Sequence, residues 1–458
     1  MPPLLISDVQ RTVEAELDRI GPVLDELGAR FTAAGHTLAL VGGPVRDAML
    51  GRLQSDLDFT TSARPEVTER LLKGWADAIW DMGRAFGTIG ARKDDWQIEI
   101  TTYRSETYDP SSRKPEVDYG DSLPGDLGRR DFTVNAMAMS LPGRVFEDPF
   151  GGVVDLTARV LRTPGTPEDS FSDDPLRMMR AARFAAQLGF TVAPEVVAAM
   201  TAMADRITIV SAERVRDELV KLVCAPWPRR GLTLLVDTGL AAYVLPELPA
   251  LALERDEHFR HKDVYEHTLT VLEQSIDLED RLGGPDFVSR FAALMHDVGK
   301  PRTRKFVDDG TVTFHHHDVV GAKLTRKRMQ ALRFSNDETA AVAKLVELHL
   351  RFHGYGSGEW TDSAVRRYVR DAGDQLERLH ILTRADCTTR NQRKADRLRK
   401  TYDDLEARIA RLSEQEELAS IRPDLDGQQI MEILEVPPGP VVGEAYRFLL
   451  ELRMDEGP

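Results

Sequence analysis

The chain has 458 residues, 42% hydrophobic and 29% charged, enough for about two to four domains with real cores, which excludes a largely disordered protein. Its longest apolar runs fall short of the roughly 18 residues that a membrane span needs, and two cysteines, Cys224 and Cys387, exclude a disulfide scaffold or a cysteine zinc site. The net charge of −15 argues against nucleic acid on average, but the average hides local basic runs.

Residues 1–36 read as a helix, with Val13, Leu17, Ile20, Leu24 and Leu27 at helical spacing. The opening MPPLLISDVQ has no basic start and no long apolar core, so no secretory signal and a cytoplasmic location are expected. From Thr37 to about Leu161, short β-rich runs (LALVGG, LDFTT, WQIEITTY, VFEDPF) alternate with helical segments and glycine turns, the texture of an α/β or α+β domain. Residues 105–128 are polar and are expected to form a mobile loop with nothing to build a core. From Pro175 the pattern is almost wholly helical, and VPPGP at 436–440 separates off the last helix. One basic run joins Lys323 to Arg328 and another Arg384 to Lys400; the bland reading of either is a solvated helix face.

The first chemistry lies in VGGPVRDAMLGRLQSDLDFTT. Asp56 and Asp58 stand two apart in a β-like run, so both point to one face, about 6.5–7 Å apart, while Leu57 and Phe59 point into a core. Two acids on one face repel unless a cation lies between them, and Mg²⁺ suits both them and a substrate phosphate. Gly42 and Gly43 let the backbone approach a triphosphate, and Arg46 can pair with its oxygens. In the strand Trp96-Gln97-Ile98-Glu99-Ile100, Glu99 is a third carboxylate, able to bind metal or accept the proton of an attacking hydroxyl; the alternative is a solvent-facing strand acid.

Gly-Gly, Arg, then Asp-x-Asp resembles motif A of the polymerase-β-like nucleotidyltransferases. GRRDFTVNAMA at 128–138 is similar to motif B of their class II branch, LRMMRAARF at 176–184 after SDDP to motif D, and SAERVRDELVKL at 211–222 to motif E. All four occur in order over roughly residues 40–222, so the chain resembles the class II CCA-adding tRNA nucleotidyltransferases. The resemblance implies an α+β fold: a mixed-sheet nucleotidyltransferase head, an all-helical neck, and an HD-type body and tail. The divisions expected are an N-terminal helix at 1–36, a head at 37–160, a neck at 161–225, an HD domain at 226–400 and a tail at 401–458.

By the same resemblance, Asp56 and Asp58 match the Mg²⁺ ligands, and Gly43 and Arg46 match nucleotide-holding positions. Arg130 matches a nucleotide-binding arginine, Asp131 the acid that reads the ribose, and Asn135 a support of the triphosphate. Asp174 and Arg177 match the pair that reads the base edge of CTP or ATP, with Arg180 and Arg183 expected to serve phosphates. Three residues apart, Asp174 and Arg177 are expected side by side on a helix surface. Where this family usually has glutamate, Asp173 stands here.

Bacterial poly(A) polymerases share these motifs and are the competing reading. MGRAFGTIG at 82–90 and the long polar segment between Tyr103 and Asp131 resemble the CCA-adding version. Addition of CC alone or A alone is a further alternative.

Ten of the eleven histidines lie beyond residue 257. His267, the adjacent His296 and Asp297, and Asp386 resemble the metal-binding quartet of HD hydrolases, and His317 and His349 fall where such proteins hold a second metal. Imidazole with carboxylate suits Mn, Fe, Ni or Co. Expected partners are tRNA, CTP and ATP, with no membrane; an HD phosphohydrolase with an inert polymerase half is the contrasting reading.

Overall fold

The computed structural model describes residues 6–107, 116–119, 122–253, 264–306, 312–354, 360–388, 391–416 and 422–456. The chain divides into two compact units, residues 1–244 and 245–458.

The first unit opens with α1 (Ile6–Arg19) and α2 (Gly21–Ala33). The single helix expected over 1–36 is therefore two. The break falls at Ile20, before a proline that supplies no N–H and suits a first turn. The apolar stripe survives it: Leu17, Ile20, Leu24 and Leu27 are all buried.

Next come β1 (Leu38–Val41), α3 (Gly43–Met49), β2 (Asp56–Thr61), α4 (Pro65–Leu72), β3 (Ala78–Trp80), β4 (Thr88–Lys93) and β5 (Trp96–Thr102). Then follow β6 (Arg104–Thr107), β7 (Glu116–Tyr119), α5 (Leu123–Gly128), β8 (Ala138–Leu141) and β9 (Val145–Glu147). Seven of these strands form one sheet in the order β3-β4-β5-β2-β1-β8-β9. It is mixed: β2 runs parallel to β5 and the other neighbours are antiparallel. Strand β2 alternates as its sequence requires, with Leu57 and Phe59 buried and Asp56 exposed.

The segment expected to be a structureless loop has structure at both ends. Strands β6 and β7 pair antiparallel, with Arg104 opposite Tyr119. Helix α5 buries Leu123 and Leu127 in a cluster with Ala39, Val41, Tyr103, Ala136 and Ala138. Two leucines among polar residues are enough because the sheet supplies the other wall of that core. The middle of the segment, 108–115 and 120–121, lies outside the described residues.

The unit closes with α6 (Gly152–Ala158), α7 (Pro167–Asp173), α8 (Leu176–Leu188), α9 (Pro194–Ala202), α10 (Ala212–Val223) and α11 (Pro228–Asp237). Helices α10 and α11 both pack on α8. Helix α8 buries Met178, Met179, Ala181, Ala182 and Phe184, and α10 opens on Ser211, whose Oγ accepts from the Arg214 amide.

The second unit is helical. Helices Val264–Ile276, Phe287–Met295, His317–Ala331, Asn336–Leu348 and Leu376–Ala385 pack together around Leu269, Leu272, Phe291, Leu294, Val346 and Leu382. A capping box between Ser335 and Glu338 fixes the start of the fourth. No helix among the described residues is long and apolar enough to cross a membrane.

Candidate functional site

Three carboxylates share one face of the sheet. Asp58 lies directly across from Glu99 in the parallel β2–β5 register, and Asp56 precedes it by one strand repeat. Burial, together with the nearby Glu99 and Asp56, drives the Asp58 carboxyl up to about 6 against the opposing pull of Arg130 and Arg46. This is what a set of acids does when no cation separates them, so the donor set fits a hard, oxygen-liganded ion.

Gly42 has φ +71°, and a Cβ there would meet Arg130 Nη1 at 2.7 Å. Glycine is thus required by backbone and by Arg130. At Gly43 the φ is not positive and the closest atom, Arg46 Nη2, would be 3.7 Å away.

Behind the carboxylates runs a continuous polar network. Arg46 is buried and donates through Nη1 to Asn135 Oδ1 at 2.5 Å, and through Nε and Nη2 to Asp47. Asn135 Nδ2 donates to Asp131 Oδ1 at 2.9 Å. Asp131 Oδ1 also accepts from the Phe132 amide, while Oδ2 accepts from Arg180 Nε and Nη2. Arg183 Nε donates to Glu218 Oε2 at 2.6 Å, and Arg180 Nη1 lies 3.6 Å from Glu218 Oε1. Arg46, Arg180 and Arg183 all set their guanidinium groups within cation–π range of Phe184, at 5.2, 5.4 and 3.9 Å from its centroid.

The network gives several of the expected site residues partners within the protein. Arg180 and Arg183, expected on phosphates, are engaged with Asp131 and Glu218. Asp131, expected on a ribose, receives four donors. The pull of Arg180 and the Asn135 bond hold its carboxyl far below the usual range despite burial. Asn135 joins Arg46 to Asp131.

Asp174 and Arg177 are brought into one region but not onto one helix surface. Asp174 has φ −144° and ψ 100°, just before α8, because the following Pro175 excludes the helical conformation. Its Oδ1 accepts from the Leu176 amide at 3.1 Å and its Oδ2 from Arg214 Nη2 at 2.7 Å. Arg177 is buried, donating to Ser170 Oγ at 2.9 Å and to the Arg129 carbonyl at 2.6 Å.

Three residues of this region escaped the sequence reading. Arg214 and Glu218 lie inside motif E. The signal for Glu218 was a charge on an apolar face: with Val215, Leu219 and Leu222 it occupies the buried side of α10. Asp126, fully buried in α5, receives Arg129, Arg130 and the Arg104 amide; a lone acid in a polar stretch gave no signal.

The second unit gathers the expected histidines. One ligand atom each from His267, His296 and Asp297 lies within 4.8 Å of the others, and the same holds for Asp297, His317 and His349. Asp386 joins through Oδ1, 3.0 Å from His267 Nε2 and 3.7 Å from His296 Nε2. His296, His317 and His349 are oriented alike: each Nδ1 lies 2.6–2.8 Å from the carbonyl three residues earlier. A carbonyl only accepts, so each Nδ1 carries a proton and each Nε2 is the nitrogen left to offer a lone pair when the imidazole is neutral. Those three Nε2 atoms are buried without a hydrogen-bond partner. Lone pairs and carboxylates converging in a buried place fit a divalent metal held by imidazole and carboxylate. Gly299 permits the cluster: a Cβ there would meet the His317 carbonyl at 2.0 Å. His315 and His316, which precede His317 in the chain, are exposed.

Comparison with known proteins matches three stretches of the chain to families. Residues 38–162 match the family described as the poly A polymerase head domain, 189–251 a probable RNA and SrmB-binding site of polymerase A, and 264–391 the HD domain. The chain is 35% identical over 423 residues to the A-adding tRNA nucleotidyltransferase of Deinococcus radiodurans, covering 91% of each. It is 42% identical over 229 residues to a CCA-adding enzyme of Levilactobacillus brevis, an alignment spanning 50% of this chain and 55% of that enzyme. The crystal structure of the Bacillus stearothermophilus CCA-adding enzyme in complex with CTP superposes with a TM-score of 0.66 at 25% identity, over 95% of this chain and 93% of that one. With a head, an RNA-binding region and an HD domain in this order, and a relative matched over nine-tenths of both lengths, the chain belongs to the tRNA nucleotidyltransferase and poly(A) polymerase family.

Proposed function

We propose that the chain adds C, C and A to the 3′ end of tRNA from CTP and ATP in the cytoplasm, without a nucleic-acid template, releasing pyrophosphate. The observation that carries this reading is the Asp56, Asp58 and Glu99 face, backed by the network through Arg46, Asn135 and Asp131. Asp56 and Asp58 are the ligands for Mg²⁺, which when bound supplies charge neutralisation at the triphosphate and activation of the tRNA 3′-hydroxyl. Glu99, beside Asp58 in the strand register, accepts that hydroxyl's proton. Arg130, held by Asp126 beside Asp58, faces the incoming phosphates. Asp174 and Arg177 offer an acceptor and donors to the base edge, so side chains act as the template. The test is single-nucleotide-resolution extension of tRNA transcripts ending before CCA. Addition stopping after C, C and A, and lost in Asp56→Ala, supports the reading; a long A-tail makes the protein a poly(A) polymerase.

One observation favours a second reading. The relative aligned over 91% of its length is an A-adding enzyme. An A-only enzyme would extend transcripts ending in CC and leave shorter ones untouched.

We also infer that the histidine cluster binds a transition metal (Mn, Fe, Ni or Co) and hydrolyses phosphoesters. The buried Nε2 atoms of His296, His317 and His349 support metal binding. Inorganic phosphate released from small phosphoesters, lost in Asp297→Ala, tests the activity.

A further inference from the structure

The carboxylate face does not end at Glu99. Gly90 lies directly across from Glu99 in the β4–β5 register, and Trp80 directly across from Gly90 in the β3–β4 register. Directly opposed residues point to the same face of a sheet. Trp80, Gly90, Glu99 and Asp58 therefore form one row across β3, β4, β5 and β2, on the face that carries the acids. Gly90 leaves a gap in that row, and the indole fills it. A Cβ on Gly90 would stand 1.9 Å from Trp80 Nε1, 2.3 Å from Cε2 and 2.6 Å from Cδ1. The ring thus lies over the β4 backbone, beside Glu99. Gly90 is buried beneath it, while Trp80 itself is only half-buried, so part of the indole stays open on this face.

In-line phosphoryl transfer puts the attacking hydroxyl and the leaving pyrophosphate on opposite sides of the α-phosphate. Arg46 lies on α3, just after β1, and Arg130 follows α5, which packs on β1; both belong to the β1 side of Asp58. With the triphosphate on that side, the hydroxyl arrives from the β5 side, where Glu99 and Trp80 stand. We propose that Trp80 is a stacking platform for the base of the terminal tRNA nucleotide, seating the 3′-hydroxyl at Glu99 and the metal position. The inference rests on the reading of Asp56, Asp58 and Glu99 as the nucleotidyl-transfer site. The terminal base changes with each addition, so hydrogen bonds that read it would favour one step over the next. An aromatic ring accepts every base, because every base has a π-face.

The experiment compares Trp80→Leu, Trp80→Phe and Gly90→Ala with the parent chain. The substrates are tRNA transcripts ending in CC, with the last nucleotide either intact or abasic, and the readouts are KM for the transcript, KM for ATP and kcat. Expected for Trp80→Leu is a KM for the intact transcript raised about tenfold, with KM for ATP near that of the parent. The abasic transcript should weaken the parent alike and Trp80→Leu little further, because both changes remove the same stack. Trp80→Phe should keep most of the affinity. Gly90→Ala, whose methyl displaces the indole, should behave as Trp80→Leu. Without nucleotide, the intact transcript should quench tryptophan emission of the parent more than that of Trp80→Phe, a measurement that needs no destabilising change. If Trp80→Leu loses as much on the abasic transcript as on the intact one, raises KM for ATP instead, or if the quench is the same in Trp80→Phe, the platform is overturned and the transfer site stands. If Asp56→Ala retains nucleotide addition, the site reading falls and the role of Trp80 with it.

Discussion

Asp58 and Glu99 face one another across the one parallel strand pairing of the main sheet. Burial and the neighbouring acids raise the Asp58 carboxyl to about 6. A raised acid binds more protons in the folded state than in the unfolded one. Stability then falls as pH rises from about 4 through about 6. In EDTA, the parent chain should lose thermal stability relative to Asp58→Asn over that window. Mg²⁺ should restore it above pH 6, and nucleotide addition should fall below pH 6 as protons compete with the metal. Parallel melting curves for the two chains across the window would contradict the assignment.

Gly42 and Gly43 give a sharp contrast. Alanine at Gly42 takes on a backbone conformation that costs about 1–3 kcal/mol and meets Arg130 Nη1. Alanine at Gly43 meets nothing closer than 3.7 Å. Gly42→Ala should lower the melting temperature by several degrees, with weaker nucleotide binding from a displaced Arg130. Gly43→Ala should melt close to the parent. Equal melting temperatures would remove the special status of Gly42.

Glu218 is buried between two arginines. Glu218→Gln keeps shape but leaves Arg183 buried without its counter-charge. Breaking such a pair costs about 3–5 kcal/mol. The urea midpoint should shift accordingly, and adding Arg183→Leu to the same chain should recover part of the loss. A midpoint shift under about 1 kcal/mol would mean that Arg183 finds another partner.

How much of this was legible follows from what each feature depends on. The strand alternation that puts Asp56 and Asp58 on one face is local, so the sequence carries it. Their neighbour Glu99 needs the β2–β5 register, which spacing does not encode, and only strand alternation pointed to it. The motifs located Asp131, Asn135, Arg180 and Arg183 but not their partners, because hydrogen bonds such as Arg180 to Asp131 join residues 49 apart. The three-residue spacing from Arg177 predicts Asp174 on a helix, but Pro175 holds it extended. The helical core around α5 went unread because half of it belongs to the sheet.

The histidine cluster makes a prediction about protons. Burial works against charge on His296, but Asp297 and Asp386 outweigh it and lift the imidazole to about 9. Burial and the neighbouring His296 push His349 down to about 4. At pH 7 the metal-free cluster thus carries a proton on His296, where a cation would otherwise neutralise the carboxylates. A metal needs that imidazole neutral, so binding must expel a proton, and affinity should rise with pH up to about 9. Titration of the metal-stripped chain with Mn²⁺ or Ni²⁺ in buffers of differing ionisation heat should show about one proton released per first metal bound. The loaded chain should melt higher, and elemental analysis should find the metal in the parent but not in His296→Ala. Proton release independent of His296, or full metal content in that variant, would mean that the ion sits elsewhere.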